Sequence, residues 1–290
     1  MRKLSIRIKV LNFFRKIFKI WPFDTLLLSA LSHQTTYSIA KKCVPNNYQF
    51  SEGTLKKVKR NGINYELDIS QYIEHLIYYK LEAESKQKLY GLVKNKSNIL
   101  DVGVNIGETV LSFSRINPGG QIYGFEPVPF LFEKAIRNIS LNQKSNINLF
   151  NLALSDQNGQ LSFDMAKNLN SGSISMNKDL TKGSMIVNAV TLDNFVQEHN
   201  ITDIDLIKID VEGFELNVLK GAQNVLRTAK PVLFVEVVDT YLKRQNVNAS
   251  MLIRYLQDLG YSINDAKTND IIQPDQNFSN THLDIICHPS

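Results

Sequence analysis

The second part of the chain alternates short apolar runs with longer segments whose apolar residues recur at helical spacing. The apolar runs predict β-strands at Ile99–Val102, Gln121–Phe125, Ile147–Leu152, Leu206–Ile209 and Val232–Val237. The other segments predict helices near residues 107–116, 128–142, 192–199, 213–227 and 249–259. Such alternation predicts right-handed crossovers and an α/β fold, with a mainly parallel sheet covered on both faces.

Two stretches interrupt this alternation. Residues 158–190 are too long for a plain loop, and their alternating pieces predict small added strands at Gly159–Phe163, Ser171–Ser175 and Ile186–Val190. Towards the end of the sequence, Gly260–Ile263 and His282–Cys287 predict a last antiparallel pair of strands.

A hairpin and a helix are predicted ahead of the alternating region. Asn61-Gly62 stands at the centre of Val58–Leu67, and Asn-Gly supplies the two positive-φ positions of a tight hairpin turn. Apolar residues at helical spacing follow, namely Tyr72, Ile73, Leu76, Ile77 and Leu81. The predicted organisation is an extension over residues 1–56, a hairpin-and-helix lead-in over 57–97 and a main domain over 98–290.

The first 23 residues predict a basic amphipathic helix. They carry seven Lys or Arg and no acid, and Pro22 would end the helix. Apolar residues recur at helical spacing at Val10, Phe13, Phe14, Ile17, Phe18 and Trp21. Two interpretations are open: the helix lies in the headgroup layer of an anionic membrane, or it packs on its own domain or a dimer partner. Charges interrupt every window of about 20 residues, so no membrane-spanning helix is predicted.

The charge of the chain is divided between its two parts. The 290 residues carry a formal net charge of +5, but residues 1–60 have a net charge of +11 and residues 61–290 one of −6. Because the basic residues lie outside the alternating region, no nucleic-acid partner is predicted. The composition is that of an ordinary globular protein, and the two cysteines, Cys43 and Cys287, favour a reducing, cytoplasmic setting.

The turn after the first predicted strand has the features of a cofactor loop. Asp101–Gly107 reads DVGVNIG, and Gly103 and Gly107 would let a ligand approach the backbone closely. The glycine spacing is not that of a dinucleotide site, and Glu108 at the helix start would repel a pyrophosphate. The loop therefore favours a cofactor without phosphates, and S-adenosylmethionine fits that description. The glycines alone would also be consistent with a tight turn.

The next two strand ends supply further candidates for cofactor binding. Glu126, followed by Pro127, could accept hydrogen bonds from both hydroxyls of a ribose. Ala153 and Asp156, just past the third strand, would lie beside an adenine. Asp156 could equally be a turn acid before Asn158-Gly159.

Carboxylates also follow the fourth strand and interrupt the fifth. Asp210, Glu212 and Glu236 could surround an acceptor hydroxyl, and Asp210 or Glu236 could serve as a general base. The alternatives are structural: Glu212 would stand at a helix start, and Lys208 would form a salt bridge, with Glu236 as a candidate partner. No His, Cys or acid spacing typical of a metal site is present, and no metal is predicted.

Residues 98–238 resemble the FkbM family of S-adenosylmethionine-dependent methyltransferases. The matching motifs are DVGVNIG (101–107), GFEP (124–127), NLAL (151–154), VTLDNF (190–195) and DLIKIDVEGFELNVLKGA (205–222). The resemblance implies a Rossmann-like class I fold, a three-layer sandwich with a mostly parallel seven-stranded sheet whose last strand is reversed. It also implies methyl transfer to oxygen. By position, the resemblance implies that Asp101, Gly103, Asn105, Gly107 and Glu126 contact the cofactor. It also implies that Asp210 and Glu212 lie at the edge where the methyl group is transferred.

The predicted function is O-methylation of a sugar hydroxyl in a polysaccharide or glycolipid. Two alternatives stay open: methylation of a polyketide or other natural product, and a non-catalytic, cofactor-binding adaptor at a membrane surface. The predicted partner is a small-molecule or glycan acceptor, and contact of residues 1–23 with the inner face of a membrane stays open beside packing of this helix on protein.

Overall fold

The computed structural model describes residues 6–20, 22–81, 85–164, 175–177 and 185–290. These residues form two compact units, the first ending at residue 81 and the second beginning at residue 85. None of the helices in the described ranges is both long and apolar enough to cross a bilayer.

The first unit combines helices with one antiparallel pair of strands. Its described elements, in chain order, are α1 (Ile6–Arg15), a 3₁₀ helix (Lys16–Lys19), α2 (Phe23–Ala30), α3 (Gln34–Cys43), a 3₁₀ helix (Asn47–Gln49), β1 (Leu55–Arg60), β2 (Ile63–Asp68) and α4 (Tyr72–Tyr79). The predicted basic helix thus changes to 3₁₀ geometry after Arg15, before it reaches Pro22. Trp21 lies outside the described residues.

The predicted hairpin of the first unit is confirmed. Asn61 and Gly62 have φ values of 48° and 82°, and they join Arg60 to its partner Ile63 across a tight turn. The alternate residues Ile63, Tyr65 and Leu67 of β2 are buried, and α4 packs against this strand. The turn chemistry and the period-two burial therefore act together to fix the register.

The second unit is built around a large sheet. Its described elements, in chain order, are α5 (Ser85–Gly91), β3 (Ile99–Val102), α6 (Glu108–Ile116), β4 (Ile122–Phe125), α7 (Pro129–Ser140), β5 (Ile147–Phe150), β6 (Ala153–Leu154), β7 (Gly159–Asp164), β8 (Ser175–Asn177), β9 (Met185–Val190), α8 (Leu192–Glu198), β10 (Leu206–Ile209), α9 (Glu215–Lys220), α10 (Gln223–Thr228), β11 (Val232–Val238), α11 (Asp239–Leu242), a 3₁₀ helix (Lys243–Gln245), α12 (Ala249–Asp258), β12 (Tyr261–Asp265) and β13 (His282–Pro289).

The central sheet has seven strands in the order β12-β13-β11-β10-β3-β4-β5. The pairs from β11 to β5 are parallel, whereas β13 runs antiparallel to both of its neighbours. The last strand of the chain is therefore the reversed one. This confirms the predicted mostly parallel sheet and the predicted antiparallel pair at its end.

Two apolar layers cover opposite faces of this sheet, because successive strand residues point to opposite sides. Leu100 and Ile207 belong to a core shared with side chains of α8, α9, α10 and α12. The preceding residues, Ile99 and Leu206, belong to a second core shared with α5, α6 and α7. The predicted three-layer sandwich is thereby confirmed.

One predicted helix, over residues 213–227, is wrong, because two shorter helices, α9 and α10, take its place. The reason is a cap supplied from another element. The carboxylate of Asp193 in α8 accepts hydrogen bonds from the amides of Asn224 (2.9 Å) and Val225 (3.0 Å), so a new helix starts there. The acid of the VTLDNF motif thus has a structural role.

A smaller sheet holds the inserted strands in the order β6-β9-β7-β8. Strands predicted at Gly159–Phe163 and Ile186–Val190 are present as β7 and β9. The third, Ser171–Ser175, lies outside the described residues except for Ser175, where β8 begins. Strand β5, predicted over Ile147–Leu152, ends at Phe150, because Ala153 and Leu154 pair with β9 in the smaller sheet.

The two units divide the predicted lead-in over residues 57–97. The hairpin and α4 share the first unit with α1, α2 and α3, whereas α5 belongs to the second. The reason is packing: Leu89 joins the core beneath α6, and the ring of Tyr90 meets that of Phe113 edge to face.

Candidate functional site

Strand register brings charged residues of four neighbouring strands to one edge of the sheet. Lys208 of β10 stands opposite Asp101 of β3, and Glu236 of β11 stands opposite Asp284 of β13. Asp210 directly follows β10. By alternation these side chains lie on the face that α5, α6 and α7 cover. The register thus places Asp101, Asp210 and Glu236 at one edge, while their roles in the site stay predictions.

Lys208 is the hub of this edge. Its buried Nζ lies 3.2 Å from Asp101 Oδ1 and 3.3 Å from Asp210 Oδ2, and it donates a 2.8 Å hydrogen bond to the carbonyl of Gly103. Burial opposes a charge on Lys208, but the carboxylates of Asp101 and Asp210 outweigh it and raise the pKa of the ammonium. Glu236 is not its salt-bridge partner, because the register places Phe234 beside Lys208.

Asp101 is fully buried and contacts side chains of two other elements, α6 and β10. Thr109 of α6 donates a hydrogen bond to Asp101 Oδ2, while Lys208 lies at the other oxygen. The carboxylate thereby ties the first turn of α6 to the ends of two strands. This cross-link holds the cofactor loop in place from beneath.

The two glycines of the cofactor loop are explained by the packing of the chain. A Cβ on Gly103, which has a φ of 88°, would stand 1.9 Å from the backbone carbonyl oxygen of Asp210. One on Gly107, with a φ of 92°, would lie 3.3 Å from Cα of Ala135 in α7. Neighbouring backbone therefore requires both glycines, and the close approach of a ligand at Gly103 and Gly107 stays a prediction.

Replacing Gly103 with alanine is expected to lower the free energy of unfolding by roughly 2–4 kcal/mol, because the added Cβ meets backbone and the residue is held at positive φ. Urea denaturation measures this change. Gly91→Ala is the matched control: an added Cβ there meets no atom within 4 Å, and its effect should stay within about 1 kcal/mol. Equal midpoints for the two variants would contradict the proposed contact.

Glu126 is a second buried carboxylate that fastens the cofactor loop. Its Oε2 accepts a 2.7 Å hydrogen bond from the amide of Asn105, and its Oε1 accepts one of 3.0 Å from the amide of Val128. Burial raises the pKa of Glu126 to about 7, although both amides oppose the shift. Asn105 has a φ of 54°, so the loop turns sharply to reach this carboxylate.

The remaining candidates for cofactor binding follow the ends of β4 and β5. Asn151 donates hydrogen bonds to the carbonyls of Glu126 (2.8 Å) and Pro127 (3.0 Å), which joins the two strand ends. Ala153 is buried in β6, where it pairs with Ala189. Asp156 is half-buried and accepts a 3.0 Å hydrogen bond from the hydroxyl of Ser155. The cofactor contacts of Pro127, Ala153 and Asp156 stay predictions.

Glu212 occupies a strained position beside the acid edge. It has a φ of 55°, in a region that side chains other than glycine rarely adopt. Within the part of the chain that the structure describes, its Oε2 is buried and has no hydrogen-bond partner. Burial, with added repulsion from Asp210 and Glu236, raises the pKa of Glu212 to about 9. At neutral pH this carboxyl group is therefore protonated and can donate a hydrogen bond.

Sequence reasoning missed the acid that caps the loop before α9. Glu215 is buried, and its Oε1 accepts hydrogen bonds from the amides of Gly213 (2.9 Å) and Val211 (3.3 Å). Burial raises the pKa of Glu215 to about 7. Glu215, rather than Glu212, is therefore the acid that stabilises the start of the helix. Its position in the first turn of α9 could have indicated this role from the sequence.

Sequence reasoning also missed the partners of Glu236 on the reversed strand. His282 Nε2 lies 2.9 Å from Glu236 Oε1. Burial and the charge of Asp210 raise the pKa of Glu236 to about 7, although His282 opposes this. The hydrogen bond with Glu236 in turn raises the pKa of His282, and burial raises that of Asp284. Glu236 and His282 thus form a hydrogen-bonded dyad that can take up a proton near neutral pH.

A seven-stranded sheet with a reversed last strand, and a loop and acids at its carboxyl edge, defines a class I methyltransferase fold. Residues 101–263, more than half of the chain, match the Methyltransferase FkbM domain. The chain belongs to the FkbM methyltransferase family, which confirms the resemblance drawn from its motifs.

Two curated relatives show how far this likeness extends. The chain is 31% identical over 134 residues to the hexuronic acid methyltransferase AglP of Haloferax volcanii, an alignment that covers 46% of this chain and 53% of that protein. It is also 31% identical over 159 residues to the 2-O-methyltransferase NoeI of Sinorhizobium fredii, covering 50% and 64%. The match thus spans between half and two thirds of the length of these relatives.

A solved structure is similar to this one over most of the chain. The methyltransferase FkbM from Methylobacillus flagellatus has 16% sequence identity and a TM-score of 0.48, covering 96% of this chain and 61% of that one.

Family membership confirms S-adenosylmethionine as the cofactor. The residues present fit this group. Among the residues that the structure describes, each oxygen of Glu126 accepts one backbone amide. A carboxylate has about four acceptor positions, so both oxygens can still accept a ribose hydroxyl. The buried, unpaired Oε2 of Glu212 offers a further polar contact at the same edge, among the residues described.

Proposed function

We propose that this protein is an S-adenosylmethionine-dependent O-methyltransferase that acts on a sugar hydroxyl of a glycan or glycolipid. The observation that carries the proposal is the Glu236–His282 dyad, which stands beside Asp210 and Glu212 at the edge next to the cofactor loop. A hydroxyl needs a proton acceptor as its oxygen forms a bond to carbon. The names of the two relatives, one for a hexuronic acid and one for a 2-O position, support a sugar.

Of the two carboxylates considered as the base, Glu236 is favoured over Asp210. Asp210 forms an ion pair with the buried ammonium of Lys208, and this pairing makes its carboxylate a poorer proton acceptor. Glu236, with a pKa of about 7, releases and takes up a proton near the pH at which a cell works. Its neighbour His282 orients the carboxylate through one oxygen and leaves the other for the acceptor hydroxyl.

The other residues of the edge position the reactants. The loop from Gly103 to Gly107, together with Glu126, would hold the cofactor, which supplies the methyl group when bound. The protonated carboxyl of Glu212 would donate a hydrogen bond and so fix the acceptor or the cofactor beside Glu236. Holding two reactants in line can lower a barrier by about 7–11 kcal/mol.

Calorimetry with S-adenosylmethionine and with NAD tests the proposed class, and release of S-adenosylhomocysteine tests turnover. We expect binding of S-adenosylmethionine alone, and turnover with oligosaccharides that end in a uronic acid. The same oligosaccharides with every hydroxyl methylated beforehand are the control. Cofactor binding without turnover on sugar or polyketide hydroxyls would support the non-catalytic adaptor, and binding of NAD would contradict the proposal.

Glu126→Gln is expected to weaken S-adenosylmethionine binding by about 10–100-fold, because an amide presents one acceptor oxygen and no charge to the ribose. Binding to the unaltered protein should strengthen as the pH rises through about 7, since the ionised carboxylate is the acceptor. Calorimetry from pH 6 to 8 measures both effects. Glu133→Gln, at an exposed acid of α7, should leave the affinity unchanged. An unchanged affinity of Glu126→Gln would remove Glu126 from the site.

A further inference from the structure

The first helices are attached to their unit by polar side chains. Asn12 donates a 3.0 Å hydrogen bond to the hydroxyl of Tyr48, and its own carbonyl accepts one from Gln49. Arg15 donates a 3.0 Å hydrogen bond to the carbonyl of Lys42. Lys19 donates to the carbonyl of Gln49, and its ammonium lies 5.0 Å from the ring centre of Phe50. Asn12, Arg15 and Lys19 share one side of the helical path, which therefore faces the protein.

The opposite side of the same path is apolar and faces outward. Its exposed residues, which we call the head patch, are Val10 (51% exposed), Phe13 (68%), Phe14 (56%), Ile17 (45%) and Ile20 (63%). A surface helix of a globular protein normally turns its apolar stripe to the core and its charges to water. Here the arrangement is inverted, which means that packing on its own unit does not explain the apolar pattern.

The charge around the head patch decides what would cover it. The first 20 residues of the sequence carry seven Lys or Arg and no acid, and Lys16 is exposed beside Ile17. A second copy of the chain would bring an equally basic segment and repel this one. A surface that combines apolar depth with negative charge is complementary to both properties.

We propose that the head patch inserts into the headgroup layer of an anionic membrane, with the exposed Lys16 beside it bound to a lipid phosphate. Phe13 and Phe14 point their rings outward and are the deepest anchors. The polar contacts of Asn12, Arg15 and Lys19 keep the helix attached to its unit while the apolar side is inserted. The protein would then work on acceptors presented at that surface.

Flotation with phospholipid vesicles tests this proposal on the full chain. We expect the protein to float with vesicles of 70% phosphatidylcholine and 30% phosphatidylglycerol, and about tenfold less with pure phosphatidylcholine. Phe13→Ser/Phe14→Ser should lower partitioning to the anionic vesicles at least tenfold, because two rings lose their place in lipid. The matched control is Ile136→Ser/Ile271→Ser, which removes two exposed apolar side chains of the second unit and should float like the unaltered protein.

Sedimentation velocity tests whether a second copy of the chain, rather than a membrane, covers the head patch. Equal flotation of the unaltered protein and the Phe13→Ser/Phe14→Ser variant would overturn the proposal. So would an absence of flotation together with a dimer that this variant dissociates, which would assign the head patch to a second copy. All four side chains are exposed, so thermal unfolding midpoints of both double variants should match that of the unaltered protein.

Discussion

Glu236→Gln is expected to lower kcat by about 10²–10⁴-fold, because glutamine cannot take the proton from the acceptor hydroxyl. In the unaltered protein, turnover should rise with pH through about 7, since Glu236 acts as a base only when ionised. The variant should lose this rise and keep its affinity for S-adenosylmethionine. A pH–rate profile with a saturating acceptor measures both effects.

His282→Gln separates the base from the residue that positions it. His282 holds the pKa of Glu236 down through their hydrogen bond, so its loss should move the rise in turnover to higher pH and lower kcat less than Glu236→Gln does. Glu198→Gln, at an exposed acid of α8, should change neither value. Full turnover and an unaltered pH profile in Glu236→Gln would place the base elsewhere, with Asp210 the next candidate.

Lys208→Met is expected to lower the free energy of unfolding by about 3–5 kcal/mol, because it leaves the fully buried Asp101 without its counter-charge. The carboxyl of Asp101 must then bind a proton in the folded state, whereas it ionises near its ordinary value in the unfolded chain. The deficit should therefore grow with pH by up to about 1.4 kcal/mol per unit. Urea denaturation at pH 5 and pH 8 measures this dependence.

A double variant shows that the deficit comes from the buried charge. Lys208→Met/Asp101→Asn removes both charges and keeps an oxygen for Thr109, so it should recover part of the loss and its pH dependence. Lys220→Met, at an exposed lysine that ends α9, should unfold like the unaltered protein. A deficit that is the same at pH 5 and pH 8 would mean that lost packing, rather than a buried carboxylate, causes it.

The acid edge could be predicted because it depends on local pattern. Acids stand at or near the carboxyl ends of the predicted strands, and parallel strands bring their carboxyl ends together whatever the details of packing. Asp101, Asp210 and Glu236 were found in this way. His282, Asp284 and Glu215 were not, because the first two belong to a strand whose register depends on distant contacts. Glu215 stands within the apolar pattern of a helix, and only its burial shows what it holds.

Single residues in and beside the cofactor loop also show which features local pattern predicts and which depend on distant contacts. The sequence predicted that Gly103 lets a ligand approach the backbone, and the structure shows that the carbonyl of Asp210, more than 100 residues away, also requires a glycine there. A salt bridge of Lys208, with Glu236 as a candidate partner, was the structural alternative. The strand register instead pairs Lys208 with Asp101 and Asp210. Residue type can be interpreted along the chain, whereas the identity of a partner depends on which strands become neighbours.

By itself the sequence determined the α/β class, the hairpin at Asn61-Gly62, the motifs of the FkbM family and the presence of a basic amphipathic segment. These features depend on backbone propensity and on periods of two or 3.6 residues, which act over a few neighbours. Only the tertiary structure decided that Glu212 is strained and protonated, that Glu236 is joined to His282, and that the helix of the head patch turns its polar side inward. Each of these features depends on burial and on contacts between distant segments. Burial and neighbouring charges strongly change the free energy of a charged group, whereas they change the local backbone conformation much less.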